Sequence, residues 1–132
     1  MPTEAEWEWA AQGGTARQKW AGTDDADKLK NYAWYKENSA DKTHHVGRKK
    51  ANPFGLFDMS GNVNEWCWDW GAAATPEGGT DPVGPPSGTE RIKRGASYAA
   101  DHRWCRCACR TSIEPADVSK YGGFRIVCRY EF

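Results

Sequence analysis

The sequence predicts a single α+β domain with few helices, small antiparallel sheets and much irregular backbone. Its 132 residues fit one domain. The chain contains 14 Gly and 7 Pro, which favour turns and loops. It also contains 8 Trp, 5 Tyr and 4 Phe, and each buried aromatic side chain removes a large apolar area from water. We therefore expect a loop-rich domain that is held together by aromatic side chains.

The charge balance excludes partners that are attracted by bulk charge. Lys and Arg together number 18, as do Asp and Glu, so the formal net charge is zero. Without a positive excess to attract phosphate, we expect no nucleic-acid partner. No apolar run approaches the roughly 20 residues of a membrane helix, so we expect no direct membrane span. Met1 leads straight into a charged helix signal without a signal peptide, and we interpret this start as a cut inside a longer protein.

Residues 1–12 predict a helix. Thr3 followed by Glu6 forms a capping box, in which the hydroxyl and the carboxylate each satisfy an unpaired backbone N–H group. Acidic residues in the first turn suit the helix dipole. The pair Gly13-Gly14 ends the helix.

The stretch 56–70 predicts a turn that leads into a strand. Ser60-Gly61-Asn62 is typical of a tight turn. Alternation then places one set of side chains on each face of the strand: Glu65, Cys67 and Asp69 against Trp66, Trp68 and Trp70. One face of this strand is therefore lined with indole rings. Residues 91–94 predict a second, shorter strand that ends at Gly95.

Two further strands are predicted in the C-terminal third. Residues 104–110 alternate, so that Cys105, Cys107 and Cys109 would share one face. Residues 123–130 also alternate, and one face would carry Phe124, Ile126, Cys128 and Tyr130. With Cys67 the chain has 5 cysteines, an odd number that cannot pair completely within one chain. We interpret them as free, mostly buried thiols.

Five segments in register resemble the formylglycine-generating-enzyme (sulfatase-modifying factor) family. They are P-T-E-A-E-W-E-W-A-A at 2–11, N-P-F-G-L-F-D-M-S-G-N-V-N-E-W-C-W-D-W at 52–70, D-P-V-G-P-P-S-G at 81–88, R-I-K-R-G at 91–95 and G-G-F-R-I-V-C at 122–128. The resemblance implies the C-type lectin-like fold of this family over residues 1–132. It begins near the middle of a full-length family domain, so we expect an N-terminal part of that domain to be absent here.

The segment D-M-S-G-N-V-N-E-W resembles a calcium loop of the family. The resemblance implies backbone carbonyl ligands from Ser60, Gly61 and Val63 and a carboxylate ligand from Glu65. Calcium is a hard cation that takes oxygen ligands, so these groups suit it chemically. The alternative is that Gly61-Asn62 only forms a turn and that Glu65 pairs with a neighbouring strand.

The family's oxidase chemistry needs two cysteine thiolates that bind copper, because soft sulfur suits Cu(I). In this sequence Tyr98 is followed by A-A-D-H-R-W before Cys105. No cysteine stands directly after Tyr98, where the resemblance places the first active cysteine. The C-R-C-A-C run at 105–109 does not restore the pair. We therefore expect a chain that is not an enzyme and that does not use copper.

Residues 98–121, called the window below, lie between two well-matched segments and resemble the variable proteins of diversity-generating retroelements. In those proteins adenine positions are randomised on a C-type lectin fold. The resemblance implies a variable ligand-binding region at the cell surface or outside the cell, and we expect a monomer that binds a protein or a glycan. The candidate ligand-binding residues are Tyr98, Ala99, Ala100, Asp101, Arg103, Trp104, Cys109, Thr111, Ser112, Ile113, Glu114, Ala116, Asp117, Ser119, Lys120 and Tyr121.

Two other functions stay open at this point. One is the formylglycine-generating oxidase that acts on a peptidyl cysteine. The presence of the two copper-binding cysteines would distinguish this enzyme from a binding domain. The other is an accessory domain of a larger protein. The absence of an Asn-rich template elsewhere in the genome would favour the accessory domain over a variable protein.

Overall fold

The computed structural model describes residues 1–71 and 79–128. Helix α1 (Glu4–Ala11), the one α-helix among these residues, is followed by two short 3-10 helices, Gly14–Ala16 and Ala26–Asn31. The strands are β1 (Asn64–Trp70), β2 (Arg91–Arg94), β3 (Arg110–Ile113) and β4 (Gly122–Gly123). Few helices, short strands and long irregular connections agree with the predicted α+β, loop-rich class. In the described residues no helix has the length and apolar character that crossing a membrane requires.

The capping box that begins α1 is confirmed. The Thr3 backbone N–H donates to Glu6 Oε2 over 2.8 Å, and the Glu6 N–H donates to Thr3 Oγ1 over 3.2 Å. Gly13 has a φ of 70°, which lets the chain leave the helix in a conformation that other residues rarely adopt. Both ends of this helix are thus determined by neighbouring residues.

Replacing Thr3 with alanine is expected to lower the free energy of unfolding by about 1 kcal/mol, because the Glu6 N–H loses its acceptor. Urea denaturation measures the change. Thr43→Ala is the matched control, since Thr43 is exposed and caps no helix. Equal midpoints for the two variants would contradict a stabilising cap.

The four strands form one sheet in the order β3-β2-β1-β4. β2 pairs antiparallel with both β1 and β3, and β1 carries an irregularity between Trp66 and Trp70. The predicted alternation in β1 is confirmed. Glu65, Cys67 and Asp69 are buried, whereas the three tryptophans lie on the more exposed face. The prediction of purely antiparallel pairing needs one correction, because β4 runs parallel to β1 through Asn64 and Glu65.

The prediction of a strand over 104–110 is wrong. Residues 102–108 form turns, and β3 begins only at Arg110. Cys105 and Cys107 do not share one strand face; they are buried in two different hydrophobic clusters. One cluster contains Trp7, Ala11, Ala21, Met59, Cys67, Ile92 and Cys107, and the other contains Trp20, Leu29, Ala33, Tyr35 and Cys105. The alternation therefore reflects two separate burial sites on a turning backbone.

The prediction of a strand over 123–130 is also wrong for the described part. Only Gly122 and Gly123 pair with β1, and residues 124–128 form no strand. Phe124 is 70% exposed and Ile126 is 79% exposed, so they do not cover a core face. Residues 129 and 130 of this prediction lie outside the described residues.

Candidate functional site

The backbone of the window is held from inside by contacts to its main-chain atoms. Trp20 Nε1 donates to the His102 carbonyl over 2.7 Å, and Ser60 Oγ donates to the Cys105 carbonyl over 2.8 Å. The Cys107 N–H donates to the Lys19 carbonyl over 2.8 Å. Such contacts fix the path of the chain without involving a side chain of the window.

Arg94 adds a further anchor. Its Nη1 donates to the carbonyls of Ala108 and Cys109 over 3.2 and 2.9 Å. The Arg94 side chain is fully buried, and its guanidinium also forms ion pairs with Glu4 and Glu8 of α1. This residue therefore joins α1 and β2 to the point at which the window enters β3.

The structure places most candidate ligand-binding residues on the outside. Arg103, Trp104, Thr111, Ser112, Glu114, Ala116, Asp117 and Lys120 are exposed. Ala99, Ala100, Asp101, Cys109, Ile113, Ser119 and Tyr121 are partly exposed. Tyr98 differs from the others, since it is only 4% exposed. Its backbone carbonyl accepts a hydrogen bond from Ser39 Oγ over 2.9 Å, so Tyr98 supports this surface from below.

Two local contacts give the outside of the window a defined shape. The rings of Tyr98 and Tyr121 pack with centroids 5.4 Å apart, which joins the two ends of the window. Asp101 accepts hydrogen bonds from the Arg103 backbone N–H and Nη2, each over 2.8 Å. These hydrogen bonds lower the pKa of Asp101 to about 2, so its carboxylate is ionised at neutral pH.

A cavity of about 120 Å³ opens between the window and the sheet. It is lined by Asn64, Lys93, Gly95, Ala96, Ser97, Ala100, Trp104, Cys109 and Thr111. The sequence predicted four of these residues as ligand-binding: Ala100, Trp104, Cys109 and Thr111. It missed Asn64 and Lys93, which belong to strands outside the window. The register of the sheet brings them in, because Lys93 lies opposite both Trp66 of β1 and Thr111 of β3.

The predicted calcium loop fits the ion only in part. Arg125 donates from Nε and Nη2 to the two oxygens of Glu65 over 2.8 and 2.7 Å, so this carboxylate already faces a cation. Trp7 Nε1 donates to Glu65 Oε2 over 2.7 Å as well. In the described residues the buried Asp58 Oδ1 has no hydrogen-bond partner, and Asp58 lines one pocket with Val63 and Glu65. The calcium site stays a prediction, with Asp58 as an oxygen ligand that the sequence did not single out.

The cysteines of the described part do not form a metal centre. All five thiols are free, as the sequence predicted. Burial raises the pKa of both Cys105 and Cys107 to about 12, and burial also raises the pKa of Cys67. Because the thiolate is the nucleophile and the metal ligand, these three groups are inert near neutral pH. Across residues 1–71 and 79–128, no three His, Cys, Asp or Glu side chains come together in a group that could hold a metal ion.

Alkylation of the native protein with iodoacetamide at pH 8 is expected to modify Cys109 and Cys128 and to spare the three buried cysteines. Cys128 is exposed and Cys109 partly exposed, whereas Cys67, Cys105 and Cys107 are buried. Peptide mass spectrometry assigns each adduct, and unfolding in urea should make all five react. Fast native modification of Cys105 would contradict its burial, and Cys128→Ser serves as a control for the exposed site.

Comparison with known proteins matches nearly the whole chain to one family. The Sulfatase-modifying factor enzyme 1-like domain matches residues 1–130. The formylglycine-generating enzyme of Streptomyces coelicolor is 36% identical over 95% of this chain and 45% of its own length. The serine/threonine-protein kinase pkn1 of Chlamydia pneumoniae is 38% identical over 95% of this chain and 20% of its own length.

The chain is also similar to a solved structure. Variable protein 1 of Treponema denticola superimposes with a TM-score of 0.88 at 49% identity, covering 94% of this chain and 45% of that one. This match confirms the predicted C-type lectin-like fold class. The chain spans less than half the length of each of these three relatives.

Proposed function

Because the chain belongs to the sulfatase-modifying factor enzyme 1-like family, we propose that it is a non-catalytic, ligand-binding member of it. In this proposal the chain is a variable protein of a diversity-generating retroelement, and the window displays a changeable binding surface. The likeness to variable protein 1 of Treponema denticola supports this assignment over the oxidase. We further propose a protein or glycan ligand, a monomeric state and display at the cell surface or outside the cell.

The observation that carries the proposal is the way in which the window is anchored. Trp20, Ser60 and Arg94 each donate a hydrogen bond to a backbone carbonyl of the window. Every residue type except proline offers the same carbonyl and N–H groups, so exposed side chains can change while these contacts persist. Exposed substitutions away from such contacts usually change stability by less than about 0.5 kcal/mol. A surface of this kind tolerates diversification.

The side chains that the window exposes are suited to recognition. Trp104 is 55% exposed, and an exposed indole supplies a large, rigid contact area at a low entropic cost. Arg103 is held by Asp101 in a defined position at the same surface. Aromatic and arginine side chains dominate the binding energy of many interfaces. The surface therefore resembles a paratope more than an active site.

Deep sequencing of the coding gene in a population of the source organism tests the proposal. We expect amino-acid changes to concentrate in codons 98–121, at adenine positions of an Asn-rich template found elsewhere in the genome. The codons for 91–95 and 122–128 are the internal control, because the residues that they encode belong to the scaffold. Changes that are spread evenly over the chain, with no such template, would overturn the proposal and favour an accessory domain.

The oxidase is tested separately. Incubation with a sulfatase-type cysteine peptide, Cu(I) and oxygen is expected to leave the peptide mass unchanged, because Ala99 and Ala100 follow Tyr98 and the Cys105 thiol is protonated. A bacterial formylglycine-generating enzyme serves as the positive control. A loss of mass that matches aldehyde formation would overturn the non-catalytic assignment.

We also propose calcium as a structural ion of the loop 58–65. Calcium is expected to raise the midpoint of thermal unfolding by a few degrees, since an ion that binds only the folded state stabilises it. Asp58→Asn should remove this effect and keep the backbone intact, because Asn tolerates the positive φ of 57° at this position. An unchanged midpoint in excess calcium would overturn this assignment.

A further inference from the structure

The cavity between the window and the sheet is lined by a lysine that is largely buried. Lys93 is 5% exposed and lines the cavity together with Trp104 and Cys109. Lys93 is on the tryptophan-bearing face of the sheet, and its Nζ is 5.1 Å from the centroid of the Trp66 ring. A lysine residue is rarely buried to this degree unless it is paired.

Within residues 1–71 and 79–128 the Lys93 ammonium makes no hydrogen bond and no ion pair. No acidic side chain lines the cavity. The acidic group that acts on Lys93 is Asp117, which is exposed and influences it only at longer range. Burial accordingly lowers the pKa of Lys93, and the charge of Asp117 opposes this shift. Among the described residues the ammonium therefore contacts the Trp66 ring and has no anionic partner.

We propose that Lys93 is the receptor for a carboxylate side chain of a protein ligand, which enters the cavity while its neighbouring groups pack on Trp104. This inference rests on the proposed binding function and names the chemical class of the ligand. An incoming carboxylate would supply the partner that the ammonium lacks, and charge-assisted hydrogen bonds are stronger than neutral ones. Asn64 and Thr111 line the same cavity, and the Thr111 hydroxyl donates to the Lys93 carbonyl over 3.2 Å.

The size of the cavity favours a side chain over a free small molecule. Its volume of about 120 Å³ is well below the roughly 300–1,000 Å³ of typical small-molecule sites. A single aspartate or glutamate side chain is of suitable size, and the remaining contacts would fall on the exposed window around it. Lys93 lies outside the window, so this preference would persist while the window residues change.

Titration of the whole domain with two isosteric probes tests the inference. The probes are N-acetyl-aspartate N-methylamide and N-acetyl-asparagine N-methylamide, and the readout is the NMR signal of the Trp104 indole N–H. We expect the aspartate compound to bind about tenfold or more tightly than the asparagine compound, because only the former carries a charge. N-acetylalanine, which carries a free α-carboxylate, is titrated with the same NMR readout. It should bind more weakly than the aspartate compound.

Variants separate a binding role from a structural one. Lys93→Met and Lys93→Gln should each abolish the preference for the charged probe. Both should leave the midpoint of urea denaturation nearly unchanged, because the Lys93 ammonium makes no hydrogen bond or ion pair among the described residues. Lys42→Met is the control, since Lys42 is exposed and lies outside the cavity. Equal binding of both amides, tighter binding of N-acetylalanine, or an unchanged preference in the Lys93 variants would overturn the inference.

The outcome is independent of the test of the proposed function. Gene diversity in the window without any preference for a carboxylate would remove this inference and leave the variable-protein assignment intact. A carboxylate preference in a chain whose gene shows no such diversity would remove the variable-protein assignment and leave the receptor role of Lys93.

Discussion

Replacing Arg94 with methionine is expected to lower the free energy of unfolding by about 3–5 kcal/mol, the range for breaking a buried ion pair by removing one partner. Arg94 Nη1 is 3.5 Å from Glu4 Oε1, and Nη2 pairs with Glu8. The substitution removes this charge and leaves the carbonyls of Ala108 and Cys109 without their donor. Urea denaturation followed by tryptophan fluorescence measures the loss.

Arg48→Met is the matched control for this experiment, because Arg48 is exposed. Arg94→Lys should recover only part of the stability, since an ammonium cannot reproduce the forked contacts of a guanidinium. A difference between the Arg94 and Arg48 methionine variants of less than about 1 kcal/mol, within the ordinary range for point mutations, would contradict the role of Arg94 as the central anchor.

Replacing Trp7 with alanine is expected to cost about 3–5 kcal/mol, because it leaves a large cavity in the core. Trp7 is 1% exposed and packs in the cluster with Met59 and Ile92. Its Nε1 also donates to the buried carboxylate of Glu65 over 2.7 Å. Trp7→Phe should cost less, about 1–3 kcal/mol, since it keeps most of the ring but removes that donor.

Trp9→Ala is the control, because Trp9 belongs to the same helix and is 53% exposed. It should change the free energy of unfolding by less than about 1 kcal/mol. Equal losses for the Trp7 and Trp9 variants would contradict the dominant role of core packing at Trp7.

Elements determined by neighbouring residues were predictable from the sequence. The helix α1 follows from Thr3, Glu6 and Gly13, which contact one another or the adjacent turn. The strand β1 follows from the strict alternation of tryptophans with Glu65, Cys67 and Asp69. The family resemblance then extended these local signals to the whole C-type lectin-like fold, and to the surface location of most of the window.

The candidate site was only half predictable, because it combines elements that are distant in sequence. The side chains of the window could be recognised as a continuous segment between two matched segments. Lys93 and Asn64 carried no signal of their own, since a lysine on a strand is ordinarily a solvated charge. Only the pairing of β2 with β3 and the return of the window over the sheet bury Lys93.

The errors have the same physical origin. The alternation of Cys105 with Cys107 is typical of a strand, but Lys19 and Ser60 hold this backbone in turns through hydrogen bonds that span large sequence separations. Arg125 fits the polar face of a strand, yet its guanidinium pairs with Glu65, 60 positions earlier. The sequence by itself determined the helix, the central strands, the free thiols and the exposed window. The tertiary structure decided the C-terminal strands, the buried ion pairs and the cavity at Lys93, because long-range contacts outweigh local propensity where the backbone is irregular.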